Sequence, residues 1–211
     1  MNEYLDYWNT IYGKDNYFGT GPTKLANLAK TLFNNSTKHI LELGCGQGRD
    51  AMFFAQLGYN VHAFDISQNA INYVQKTKTS LGLDNLKVNV HDILDPISLD
   101  IKPDFVYSNL ALQFFDSNQL RNILSNVSET MNTGSKFLLS TKKKGDKYHN
   151  KGEKISEDAF SFKGVTRYFY ESDVWENIVS DRFKILNLES DEHTNLDNTI
   201  SVWWKILLEK Q

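Results

Sequence analysis

A single cysteine, Cys45, among 211 residues excludes an intramolecular disulfide framework and a zinc site built on cysteines. No apolar run approaches the roughly 18 residues needed to span a membrane, so no membrane partner is expected. Neither sign of charge dominates: 23 Lys and Arg against 26 Asp and Glu leave a net charge of −3, which argues against a surface that coats nucleic acid. The histidines and acids fall at no metal-ligand spacing, and no metal is expected. Met1-Asn2-Glu3-Tyr4 is acidic and polar where a signal peptide would be basic and then apolar, so the expected location is the cytoplasm. The length fits a single domain, residues 1–211, large enough to bury a core.

The most informative stretch is Ile40-Leu41-Glu42-Leu43-Gly44-Cys45-Gly46-Gln47-Gly48-Arg49-Asp50. The apolar run from His39 to Leu43 predicts a buried parallel strand, and Asp50 to Leu57 begins a helical period. Between them, glycines at alternate positions supply a tight turn with backbone N–H groups open to a ligand. The dinucleotide fingerprint requires G-x-G-x-x-G, and here Arg49 occupies the third glycine position. A second strand, Asn60 to Asp65, ends in a carboxylate about 20 residues beyond the glycines, placed to accept the hydroxyls of a ribose. Ser67 is the better cap for the following helix, which leaves Asp65 for a ligand. Leu86 to Val90 is a third strand, followed by His91-Asp92-Ile93.

The pattern Gly44-x-Gly46-x-Gly48 preceded by Glu42 resembles the S-adenosylmethionine loop of class I methyltransferases. The resemblance spans roughly residues 36 to 208. It implies a Rossmann-like α/β fold: a seven-stranded, mostly parallel sheet with helices on both faces and a C-terminal antiparallel hairpin. It also implies S-adenosyl-L-methionine as cofactor. Glu42, Gly44, Cys45, Gly46 and Gly48 would hold its amino acid portion and Asp65 its ribose, while Asp92, with Ile66 and Ile93, would hold its adenine. A carboxylate selects the donating amine of adenine, and isoleucines supply flat apolar faces. The strand Asp104 to Asn109 would end at the transferred methyl, with Ser108, Asn109 and Gln113 lining that point. No Asn-Pro-Pro-Tyr or Pro-Cys pattern stands there, which argues against nucleobase acceptors. Trp8-x-x-x-Tyr12 with Phe18 is similar to the entry segment of the thiopurine and tellurite-resistance methyltransferases and would form an aromatic lid. Residues 1–35 are thus expected to cap a cofactor-binding core at 36–141.

Lys142 to about Thr166 is the least regular stretch, expected to be either a solvated mobile loop or a substrate loop within 142–170. Its lysines, with Tyr148 and His149, would suit an anionic small molecule. His149 and Tyr107 are the possible general bases, and His193 has no evident partner. A helix from Glu171 to Val179 precedes two last strands, joined by a polar connection over 190–199. The expected activity is methyl transfer to a small-molecule acceptor by a monomer or homodimer. A catalytically idle cofactor-binding protein, a nicotinamide-dependent oxidoreductase, and an RNA or protein methyltransferase using the lysine loop are the alternatives.

Overall fold

The computed structural model describes residues 3–211; the polar start at Met1 and Asn2 lies outside them. The apolar run His39–Leu43 forms β1 near the middle of a seven-stranded sheet. β2 (Asn60–Asp65) and β3 (Leu86–Val90) lie to one side of it, β4 (Phe105–Asn109) and β5 (Lys136–Lys142) to the other, all parallel. β10 (Ile200–Lys210) runs antiparallel to β5, and β9 (Phe183–Thr194) pairs antiparallel with β10 at the edge. The strand order β3-β2-β1-β4-β5-β10-β9 reverses direction of growth between β1 and β4. At such a switch point the connections leave to opposite sides, and a crevice opens at the carboxyl ends of the strands.

Strand residues alternate between two cores because successive side chains point to opposite faces. Ile40, Val61, Ala63 and Phe105 pack with Ala29 of α2 (Lys24–Leu32), Phe54 of α3 (Arg49–Gln56) and Val74 of α4 (Gln68–Ser80). Leu41, Leu43, Val106 and Phe137 pack with Ile123 and Val127 of α5 (Ser117–Thr130) and with Trp175 of α6 (Ser172–Val179). The helix α5 starts in a capping box: Asp116 Oδ1 accepts from Gln119 N at 2.8 Å, and Gln119 Oε1 accepts from Asp116 N at 2.9 Å. Asp116→Ala should therefore cost about 1 kcal/mol in urea unfolding, with no change in the folded state's ligand affinity.

Two sequence expectations are corrected. The stretch beyond Lys142 is not a structureless loop: β6 (Glu153–Ser156), β7 (Ala159–Phe162) and β8 (Val165–Tyr168) form a separate antiparallel sheet. Its β7–β8 turn is Lys163-Gly164, with φ of +55° and +75° between the paired residues Phe162 and Val165. Positive φ at both central positions is the two-residue hairpin geometry that matches strand twist. Strands of four residues are too short for their alternation to stand out among lysines. The hairpin connection is also shorter than 190–199: β9 continues to Thr194, leaving only 195–199. Residues 190–194 are polar yet extended because backbone pairing with β10 satisfies them.

Candidate active site

The crevice is a cleft of about 1140 Å³ at the switch point. β1 delivers Glu42 to it, and the chain then turns through Gly44 and Gly46 with φ of +69° and +52°. Glu42 is only 3% exposed, and its Oε2 has no hydrogen-bond partner among the described residues. Burial, and then the neighbouring carboxylates of Asp50 and Asp65, push its carboxyl well above the usual carboxylate range. A buried acid without a donor is an unsatisfied group that a cationic or donating ligand would complete.

Asp65, at the end of β2, is fixed by two backbone donors: Gly46 N to Oδ2 at 2.7 Å and Ser67 N to Oδ1 at 2.9 Å. Burial raises it to about 6, and those N–H bonds pull the other way. Each oxygen keeps a lone pair for a ligand hydroxyl. Ser67 caps α4 as expected, accepting from Ala70 N at 3.2 Å. Cys45, Ile66, Asp92 and Ile93 border the same cleft, with Asp92 Oδ1 accepting from Leu94 N at 3.0 Å. Gly48 does not border it. As the N-cap of α3 it has φ +71°, and a Cβ there would stand 2.7 and 2.9 Å from the methyls of Val74. The third glycine lets α3 and α4 approach.

The N-terminal segment covers the cleft. In α1 (Glu3–Ile11), Trp8 stacks on Tyr12 at 5.7 Å and meets Phe114 edge-on at 5.0 Å, while Tyr12 meets Phe18 at 6.0 Å. A Cβ on Gly46 would lie 2.7 Å from the Tyr12 hydroxyl. Gln47 and Arg49, on either side of Gly48, hold this cover. Gln47 Nε2 donates to Lys14 O at 2.8 Å, Arg49 NH1 donates to Phe18 O at 2.8 Å, and Arg49 Nε donates to Gly21 O. Asn9 fastens α1 to the start of α4, accepting from Ser67 Oγ at 2.7 Å.

At the end of β4, Asn109 and Gln113 border the cleft, as does Tyr148. Asn109 Oδ1 accepts from Ser140 Oγ at 2.6 Å, and Gln113 Oε1 accepts from Lys142 N at 3.3 Å. Ser108 instead points away, donating to Leu43 O at 3.1 Å. Both candidate bases lie outside the lining. His149 packs against Phe160 and Phe169 with centroids 5.2 and 5.3 Å away, and burial lowers its basicity. The Tyr107 hydroxyl donates to Asp50 Oδ2 at 2.7 Å, and burial pushes it far above the ordinary tyrosine value. Asp50 also accepts from Thr23 N and Thr23 Oγ1, both at 2.8 Å, so this triad clips the start of α2 onto α3.

The cleft's far wall comes from the end of β5 and the segment after it, from the small sheet and from the β9–β10 pair: Lys142, Lys147, Arg167, Asp191, His193 and Trp203. Sequence reasoning named the lysines as a cationic face and missed Arg167, Asp191 and Trp203. The only available signal was the alternation Val165, Arg167, which places Arg167 on the buried face of β8. Asp146 organises this wall. Fully buried, it accepts from Lys142 Nζ at 2.6 Å, Val202 N at 2.9 Å and Tyr148 N at 3.0 Å. Desolvation lowers the Lys142 ammonium below the usual lysine range, and Asp146 opposes that shift.

A family model described as tellurite resistance protein TehB matches residues 12–181. A curated Haemophilus influenzae protein, named a probable S-adenosyl-L-methionine-dependent methyltransferase TehB, is 31% identical over 100 residues, 47% of this chain and 34% of that protein. The chain spans about a third of the length of the curated relatives it matches in this way. Among solved structures, a SAM-dependent methyltransferase from Methanosarcina mazei superposes with a TM-score of 0.73 at 20% identity, covering 86% of this chain and 96% of its own. TehB from Haemophilus influenzae superposes with a TM-score of 0.67 at 21% identity, covering 98% and 67%. These likenesses share the α/β sheet described above.

Proposed function

We propose, for a chain that belongs to the tellurite resistance protein TehB family, that the cleft transfers the methyl group of S-adenosylmethionine to a small-molecule acceptor by in-line displacement. The observation that carries this reading is the buried, unpartnered Glu42 carboxylate beside a glycine turn at the end of β1. The residues present fit the cofactor: Glu42 would take its ammonium, Asp65 its ribose hydroxyls, and Asp92 with Ile66 and Ile93 its adenine. When bound, the cofactor supplies a methyl group already activated on a sulfonium. The chain's task is then placement, worth about 7–11 kcal/mol of barrier when donor and acceptor are held in line. Trp8, Tyr12 and Phe114 exclude water from above, and Asn109 and Gln113 orient the acceptor at the end of β4. A thiolate or selenide acceptor needs no general base. With Tyr107 and His149 outside the lining, the histidines that border the cleft among the described residues are His91 and His193.

Titration calorimetry with S-adenosylmethionine, S-adenosylhomocysteine and NADH tests the proposal. Binding of the two sulfur compounds alone is the expected result. Binding of NADH alone would replace this reading with that of an oxidoreductase using Asp65 on a nicotinamide ribose.

A further inference from the structure

The far wall contains a cation with no counter-charge among the described residues. Arg167 of β8 is 9% exposed, and its guanidinium lies 4.5 Å from the Tyr148 ring centroid and 5.5 Å from that of Phe114. Its one side-chain hydrogen bond runs from NH1 to Val165 O at 3.3 Å. Among the described residues, no carboxylate comes within 4.0 Å of it. Other cations nearby do have a carboxylate, Asp146 at 2.6 Å for Lys142, Asp158 at 2.8 Å for Lys144 and Glu189 at 2.9 Å for Lys205, while the half-buried Lys143 and Lys147 lie over the rings of Trp204 and Tyr148. A guanidinium has five donors, and a buried one lacking a partner is costly to the fold unless a ligand completes it.

We infer that Arg167 receives the carboxylate of a planar organic acid, which is the acceptor class of this cleft. The inference rests on the proposed function for the meaning of "acceptor". The guanidinium fork matches a carboxylate in two parallel hydrogen bonds, which a lysine ammonium does not reproduce. Phe114 and Tyr148, whose rings pack against the guanidinium, also line the cleft and make its surroundings aromatic, which suits a flat body attached to that carboxylate. The cleft volume of about 1140 Å³ exceeds what one cofactor-sized ligand needs, leaving room for a carbon framework beside it.

The test uses the full chain saturated with S-adenosylhomocysteine and titrates benzoate, its uncharged twin benzamide, and selenite, in wild type, Arg167→Gln and Arg167→Lys. Benzoate should bind about tenfold or more tightly than benzamide, equivalent to one charge-assisted pair. Arg167→Gln should erase that preference and raise the melting temperature of the free chain, because a buried unpaired charge has gone. Arg167→Lys should recover only part of the preference. Equal binding of benzoate and benzamide to wild type, or a preference that survives Arg167→Gln, overturns the inference. So does a loss of S-adenosylhomocysteine affinity in Arg167→Gln, which would assign the guanidinium to the cofactor's own carboxylate. Selenite binding more tightly than benzoate, and in an Arg167-dependent way, replaces the organic acid with an inorganic oxyanion. Failure of wild type to take up S-adenosylhomocysteine overturns the proposed function instead, and the benzoate titration run without it still reads Arg167.

Discussion

Glu42→Gln should weaken S-adenosylmethionine binding by about 10- to 100-fold, the worth of one hydrogen bond to a charged group, while raising the melting temperature of the ligand-free chain at pH 8. Both effects come from the same feature. In the free chain the Glu42 carboxyl is buried beside Asp50 and Asp65 with Oε2 unpartnered, so its ionised form is disfavoured and its proton is held well above the ordinary value of 4.5. The unfolded chain releases that proton earlier, so the native state binds more protons over the interval between the two values. Stability then falls as pH rises above about 4.5, and a neutral glutamine of the same shape removes the penalty. The gain in melting temperature should vanish near pH 4 and grow as pH rises. Binding has the opposite sign: an ammonium beside Glu42 favours the carboxylate, so complex formation releases a proton and wild-type affinity rises with pH. Calorimetry in buffers of different ionisation enthalpy reads that proton directly, and Glu42→Gln should abolish its release. A smaller pH dependence near 6 should persist from Asp65. Unchanged affinity in Glu42→Gln would remove Glu42 from the cofactor site.

The glycines of the turn should separate cleanly when each is replaced by alanine. Gly48→Ala should destabilise the fold by about 2–5 kcal/mol, combining the left-handed backbone cost with overpacking against the next helix. The backbone term arises at φ +71°, and the packing term at Val74, whose methyls would lie 2.7 and 2.9 Å from the new Cβ. Val74 is fully buried and cannot move aside. Gly46→Ala carries a similar backbone term of about 1–2 kcal/mol. The atom its Cβ meets, however, is the Tyr12 hydroxyl, the end of a side chain that can swing away. Its larger effect should therefore be on cofactor affinity, because Gly46 borders the cleft and Gly48 does not. Urea unfolding and calorimetry on both variants give the comparison. If Gly48→Ala proved stable but failed to bind S-adenosylhomocysteine, the division of labour between the two glycines would be wrong.

Local chemistry and period by themselves made the proposed cofactor half of this protein legible. A run such as Ile40 to Leu43, ending in glycines with positive φ, has few structures open to it, and the carboxylates at Glu42, Asp65 and Asp92 follow from where strands stop. The reversed final strand was legible for the same reason: two apolar runs flanking a polar stretch pair as neighbours. What only the tertiary structure decided depends on contacts between residues far apart in the chain. Whether Tyr107 is a base or a clip is settled by Asp50 and Thr23, which reach it from other elements and consume its hydroxyl. That Gly48 lies against a helix rather than in the cleft lining depends on Val74, a residue on the next helix. The acceptor wall was hidden most completely. Lys142 and Arg167 look alike as cations in sequence, and it is the fold that gives one of them Asp146 and leaves the other without a counter-ion among the described residues. Partnering across space has no period in sequence, which is why the strand-end carboxylates proposed for the cofactor were written along the chain and the wall proposed for the acceptor was not.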